Sequence, residues 1–245
     1  AREFGLDQPI WVQYWTYVTG LLQGDLGTSL LTRRPVAADI AAYLPATLEL
    51  VFAAMAFAIL VGIPLGLVTA VWRNRWPDYV SQIFAIGAIS MPRFFLGLLL
   101  QLCFAMWLFW LPLGGRLPII VIPPPHVTGF LTIDSVLAGD WNALQMSLRH
   151  LALPAIARAL SPLATIMRLM RSSTIEVMQQ DYVMTARALG LPRSKIILKY
   201  VARNAVSATL TVIGLYFGWL LGGTVLVETV FDWPGLGLYA TKAIV

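Results

Sequence analysis

The sequence predicts an all-α, polytopic integral membrane bundle, and three observations carry that prediction. Of its 245 residues 58% are hydrophobic and only 12% are charged, with a mean hydropathy of +0.76, whereas a soluble domain carries about a quarter charged residues. Residues 46–71 form an unbroken apolar run whose one charge, Glu49, sits near an end, and about 20 helical residues suffice to cross a hydrocarbon core about 30 Å thick. The basic residues fall in alternate connections between apolar runs, the pattern that holds loops on the cytoplasmic side of a membrane.

Taken in order, residues 1–45 precede the first visible span and read as an extracytoplasmic N-terminal region. Residues 46–71 are the first span. Arg73 and Arg75 mark the short connection 72–79 as cytoplasmic. Residues 80–111 cross once, either as a kinked helix or as an amphipathic lead-in followed by a span from Phe94, because Pro92-Arg93 interrupts the run. The Pro-rich stretch 112–149 has few cations and belongs outside. Residues 151–170 form a weaker span containing Arg158 and Arg168, and 206–227 a strong one. Between them, 171–200 is rich in Arg and Lys and faces the cytoplasm. Residues 228–245 lie outside again, so four spans are the minimum.

Other classes fall away on chemistry. The net charge of +5 is explained by loop orientation, so no nucleic-acid partner is expected. A lone cysteine, Cys103, can form no intrachain disulfide and reads as a small buried thiol. No basic segment followed by a short apolar core and a small-residue cleavage site is visible, so no signal peptide is expected. His126 and His150 are isolated, which argues against a metal site. No G-x-S-x-G supports a hydrolase, and no G-x-x-x-x-G-K-[ST] supplies a nucleotide-binding loop.

The connection 171–205 is more structured than a plain loop. Ser173 and Glu176 fit a capping box, and Ile175, Met178, Tyr182, Ala186 and Leu189 recur on one helical face. Gly190 suits the position just past a helix end, and Pro192 suits the first turn of a second helix starting near Arg193. Periodicity leaves two readings open: a helical hairpin packed on its own bundle, or a helix that docks in a partner's groove and transmits motion.

The residues of this hairpin resemble a known family. Asp181, Tyr182, Val183, Thr185, Ala186, Arg187, Ala188, Gly190 and Leu191, followed by Arg203-Asn204-Ala205, are similar to the cytoplasmic EAA-type loop of ATP-binding cassette importer permeases, in the form found in dipeptide and oligopeptide systems. The general E-A-A motif is met only at Ala186 and Gly190, with Met184 and Thr185 in its first two places. Further landmarks in the family's order are GLDQPIWVQYWTYVTGLLQGDLGTSL (5–30), LPATLEL (44–50), GIPLG (62–66), SMPRFFLG (90–97), LPLGGR (111–116) and VETVFDWPGLG (227–237). The resemblance implies a B-type peptide permease with the type I importer fold, in the cytoplasmic (inner) membrane of a prokaryote. It also implies one further helix before the first landmark and one after the last, so that this chain is expected to be a core of the permease.

The same resemblance implies the partners. They are a second homologous permease subunit, two ATP-binding subunits holding ATP and Mg on the cytoplasmic side, and an extracytoplasmic substrate-binding protein. This chain would bind no cofactor and catalyse nothing. Asp181, Tyr182, Thr185, Ala186, Arg187, Ala188, Leu189, Gly190 and Leu191 would couple it to the ATPase. Peptide, nickel and glutathione importers share these landmarks.

Two further groups of residues are singled out by physics alone. Gly62 and Gly66, and Gly214, Gly218 and Gly222, have the G-x-x-x-G spacing that lets helix backbones approach closely, within this chain or against a second subunit. Arg158 lies about 12 Å deeper along its helix than His150; a charge there faces a partner or a water-filled path. A peptide carboxylate, Glu228 and a backbone carbonyl are its candidate partners. Arg93, at a helix break, either lines the path or snorkels from the cytoplasmic end. Trp233-Pro234-Gly235 reads as a turn over the path. An ion-coupled transporter would instead need acidic groups in mid-span, and Glu49 and Glu228 sit at span ends.

Overall fold

In the computed structural model, residues 8–29, 31–118, 120–223 and 225–244 are described; residues 1–7 of the N-terminal region, with 30, 119, 224 and 245, lie outside the described residues. Among the described residues the regular elements are helices: α1 Ile10–Leu22, α2 Val36–Val71, α3 Trp76–Ser90, α4 Arg93–Leu100, α5 Leu131–Leu137, α6 Trp141–Val177, α7 Asp181–Ala188, α8 Arg193–Lys195, α9 Arg203–Gly222, α10 Val225–Val230 and α11 Leu236–Ile244. Two π-wound stretches extend them, Gln101–Trp107 after α4 and Ile196–Ala202 between α8 and α9.

The all-α expectation is met, but the helices outrun their apolar cores. Helix α2 starts ten residues before the predicted span, carrying Pro45 and Pro64 inside it, and α6 overruns 151–170 at both ends with Pro154 and Pro162 inside. Internal prolines are tolerated where neighbouring helices satisfy the freed carbonyls. Asp140 caps the start of α6, its carboxylate accepting from the Ala143 N–H at 2.9 Å. Helix α6 is also the most enclosed. Of its most apolar window 72% is buried, against 33% for α2 and 22% for the rod Arg193–Gly222. A central helix is shielded from lipid by protein, which is why this span can be the least apolar.

One predicted span breaks where Pro92-Arg93 was expected to break it, and another changes shape. The run 80–111 becomes the pair α3 and Arg93–Trp107, bent by 112° at Met91-Pro92. Among the described residues three helices are long and apolar enough to cross a membrane, or four if the bent pair is one span. The run 206–227 stops short, because α9 ends at Gly222 and α10 begins separately at Val225. Gly222 and Gly223 supply no side chain to continue packing, and Gly223 leaves the helical conformation.

The core is the seam between α2 and α6. Val51, Ala54, Met55 and Ala58 meet Ala159, Leu163 and Ile166, with Leu220 of α9 closing the third side. Helices associate in lipid through close packing of small residues. A Cβ at Gly66 would come within 2.6 Å of the Met167 carbonyl, and one at Gly62 within 3.2 Å of the Leu163 carbonyl. The glycine face of α9 behaves differently: a Cβ at Gly214, Gly218 or Gly222 would meet no described atom within 4 Å.

Candidate coupling and translocation sites

Helix α6 runs through Ser173 and Glu176 without a break to Val177. The capping box expected there therefore starts no helix, since nothing in Arg168–Val177 opposes continuation. The chain turns at Met178–Gln180 and α7 begins at Asp181. The expected apolar face is correspondingly split. Ile175 belongs to α6, while Tyr182 and Leu189 are 42% and 75% exposed. Val183 and Ala186 are the buried residues of α7, packed against Ile196 and Val201 of the following rod, with Val177, Met178 and Leu191 at the margin.

The end of α7 is closed as the sequence suggested. Gly190 has φ +72°, its N–H bonds the Arg187 carbonyl at 3.0 Å and the Leu191 N–H bonds the Ala186 carbonyl at 3.3 Å, the paired pattern of a Schellman ending. The Asn204 amide donates to the Tyr182 hydroxyl at 3.0 Å, and the Thr185 hydroxyl bonds back to the Asp181 carbonyl. The hairpin is thus fixed from inside. Asp181, Tyr182, Met184, Thr185, Arg187, Ala188 and Leu189 stay on its exposed surface. Beside it, Met178, Arg187, Leu191, Arg193 and Ile196 line a cavity of about 450 Å³.

Asp78 at the start of α3 ties the other connection to the same end of α6. Arg171 reaches it with two donors at 2.6 and 2.8 Å, and the Asn74 N–H and Gln82 amide add bonds at 3.0 Å. A forked guanidinium on a buried carboxylate fixes orientation as well as distance.

Higher in the bundle, Arg158 is 1% exposed and donates to the carbonyls of Leu220 and Gly223. Of its three candidate partners, the backbone carbonyl is the one it meets here. It serves as a cap on α9, whose last carbonyls lack helical donors. Glu228 accepts its hydrogen bonds from Thr47 and the α11 start, and reaches Arg158 through its charge alone. Arg93 does not lie at the expected cytoplasmic end of its helix: its guanidinium stacks on Trp219, 3.9 Å from the ring centre, near the same α9 terminus. The 112° bend at Met91-Pro92 carries it there.

The far end of the molecule is densely bonded. Glu228 is fully buried and accepts from the Thr47 hydroxyl at 2.8 Å and from the N–H groups of Gly237 and Leu238 at 2.6 and 3.0 Å. It caps the start of α11 and fastens that helix to α2. Trp233, 1% exposed, donates its indole N–H to the Ala46 carbonyl at 2.8 Å. The Trp233-Pro234-Gly235 turn, read as a lip over the path, is thus packed into the bundle. Glu49, inside α2 rather than near its end, is buried and holds Arg116 together with the N–H and hydroxyl of Thr132. Asp134 accepts from Thr128 and from the N–H groups of Val127 and Gly129. Burial pushes the Asp134 carboxyl up, but the Thr128 hydroxyl and the three N–H groups outweigh it and hold it below its usual 3.8.

Trp219 was not singled out in the sequence, and Val183 and Thr47 stood there as parts of longer motifs with no role of their own. Trp219 and Thr47 act through contacts far away in the chain, with Arg93 and Glu228, so no local pattern marks them. The signal for Val183 was present in its spacing of three from Ala186.

Residues 62–245 match the family described as the binding-protein-dependent transport system inner membrane component. The chain is 48% identical over 243 residues, 99% of its length and 72% of the relative's, to the probable D,D-dipeptide transport system permease protein of Escherichia coli K12. It is 44% identical to the dipeptide transport system permease protein of Alkalihalophilus pseudofirmus, over 99% of this chain and 73% of that protein. A glutathione transport system permease protein of Salmonella choleraesuis is 41% identical over 96% of this chain and 68% of that protein. With its helical membrane fold, the chain belongs to the family of binding-protein-dependent transport system inner membrane components, as a permease of the inner membrane.

Proposed function

We propose that this chain is one translocation half of an ATP-binding cassette importer that moves di- and oligopeptides by alternating access. The named functions of its relatives support a peptide substrate. The observation that carries the reading is the hairpin: its inner face is locked by Val183 and Ala186, while Met184 and Leu189 are 57% and 75% exposed. A short helix with a fixed base and an apolar outer surface suits a partner's groove. The partners are a second permease chain, two ATP-binding subunits at the hairpin, which hold ATP and Mg, and a substrate-binding protein at the opposite face. The hairpin end is cytoplasmic on the positive-inside pattern, and without a nucleotide-binding loop of its own the chain is the non-catalytic subunit.

Mechanically, α6 links the two halves of the task. It leads from the Asp140 cap to the hairpin and carries Arg158 in between. ATP-driven closure of the partners displaces the hairpin, and the rigid helix passes that displacement to the path near Arg158 and Arg93. Leu189→Glu in the complete complex should lower ATPase copurification and dipeptide uptake at least tenfold while the permease keeps its thermal stability. Dipeptide uptake that persists in proteoliposomes lacking the ATPase would sink the reading. Competition by unlabelled dipeptide, glutathione and nickel ions then ranks the substrates.

A further inference from the structure

Two cations converge on the broken end of α9, and one of them has its hydrogen-bonding capacity unused. Among the described residues nothing is hydrogen-bonded to the half-buried Arg93 guanidinium, whose contact is the face of Trp219 at 3.9 Å. The Arg93 Nη1 also lies 3.6 Å from where a Cβ on Gly223 would stand. Arg158 meets the same segment through the Gly223 carbonyl, and its Nε has no acceptor. Glu228, the acid nearest in sequence to this break, is committed to Thr47 and the α11 start.

Depth makes this arrangement informative. Trp219 stands about 24 Å along the rod from Arg203, at 1.5 Å per residue. A half-buried cation packed among apolar helices is costly unless it faces water or an anion. The α9 carbonyls account for Arg158 but leave Arg93 unpaired. Arg93 is also the first residue of α4, whose opening N–H groups lack helical acceptors and favour an anion. Trp219, the residue under Arg93, also lines with Leu215 and Tyr216 a cleft of about 330 Å³.

We propose that Arg93, seated on Trp219 and backed by Arg158, forms an anion subsite in the translocation path that receives the terminal carboxylate of a passing peptide. The proposal rests on the importer reading above. The planar guanidinium offers a carboxylate two parallel bonds, while stacking on the indole holds it in position between turnovers. The contact is transient by design: a single charged pair in a wet path orients the peptide without trapping it.

The test uses the complete complex, with binding protein and ATPase, in proteoliposomes, on Arg93→Cys in a Cys103→Ser background. Uptake of labelled dipeptide should fall at least tenfold. Aminoethyl methanethiosulfonate, which restores a positive charge, should recover at least a third of it, and the anionic sulfonatoethyl reagent should recover none. Dipeptide under turnover should slow modification at least threefold, and more than the C-terminally amidated dipeptide does. If Arg93→Cys fails to assemble, Arg93→Lys should retain at least a third of uptake and Arg93→Gln less than a tenth. Equal action of both reagents, or protection that follows the anionic lipid content of the vesicles instead of dipeptide, overturns the subsite and leaves the importer reading intact. A Cys103→Ser parent that hydrolyses ATP but takes up no dipeptide removes the peptide reading and this subsite with it.

Discussion

The two ends of this permease differ in how much of their surface they keep for themselves. At the α10–α11 end, buried polar groups from distant parts of the chain fasten the turn: Glu228 to Thr47 and Gly237, Trp233 to Ala46, Glu49 to Arg116 and Thr132. At the α7 end the hairpin is held by a small apolar patch, Val183 and Ala186 on Ile196 and Val201, and by the Asn204–Tyr182 hydrogen bond, while the Arg171–Asp78 pair fastens the neighbouring connection to α6 and the remaining residues of α7 stay exposed. One end spends its side chains on itself, and at the other most of the α7 side chains stay exposed. The importer mechanism proposed above would use this asymmetry, because a driven surface must be accessible while the lever behind it stays rigid.

Substitutions can break that contrast or sharpen it. The largest effect is expected for Trp233→Ala, which empties a fully buried aromatic site and frees the Ala46 carbonyl; about 3–5 kcal/mol of stability should be lost, read by thermal unfolding of the purified permease in detergent. Glu228→Gln keeps the shape but gives up the charge on the N–H groups of Gly237 and Leu238, and a loss of about 1–3 kcal/mol is expected in the same assay. Leu189→Ser at the opposite end should change stability by less than about 0.5 kcal/mol. A Leu189→Ser loss as large as that of Trp233→Ala would erase the contrast.

The smallest effect concerns pH. The folded Asp134 carboxyl titrates below its usual 3.8, so folding favours its ionised form. Its contribution is full above about pH 3.8 and is lost as the pH falls further, through the folded value. The protection of the Thr128 and Gly129 amides, measured against their intrinsic exchange rates, should therefore fall below that pH. In Asp134→Asn it should be low already at pH 6 and no longer depend on this titration.

Much of the fold was legible because lipid imposes a simple rule on composition. The runs 46–71 and 206–227 are apolar enough to name without a structure, and both are helical over nearly all their length. Their limits were less legible, since a helix stops where its caps and neighbours stop it. Ser173 and Glu176 carried the pattern of a helix start, yet α6 runs through them. Gly190, followed by Pro192, gave the hairpin ending correctly, because that geometry is local and requires a positive φ. The two glycine faces show the boundary most clearly. They have the same spacing, but Gly62 and Gly66 are pressed against α6 while Gly214, Gly218 and Gly222 face no described atom.

By itself the sequence determined the class of molecule, its helical composition and the position of the hairpin, because those follow from hydropathy, charge bias and short-range turn chemistry. Only the tertiary structure decided which charges are capped and which stand free. Arg158 and Arg93 are both cations in apolar surroundings, yet Arg158 finds the carbonyls of Leu220 and Gly223, and Arg93 finds the face of Trp219. Those partners lie more than sixty residues away, brought near by the seating of α9 on α6 and the bend before α4. Electrostatic partnership is a matter of distance in space, which a linear order of residues does not contain.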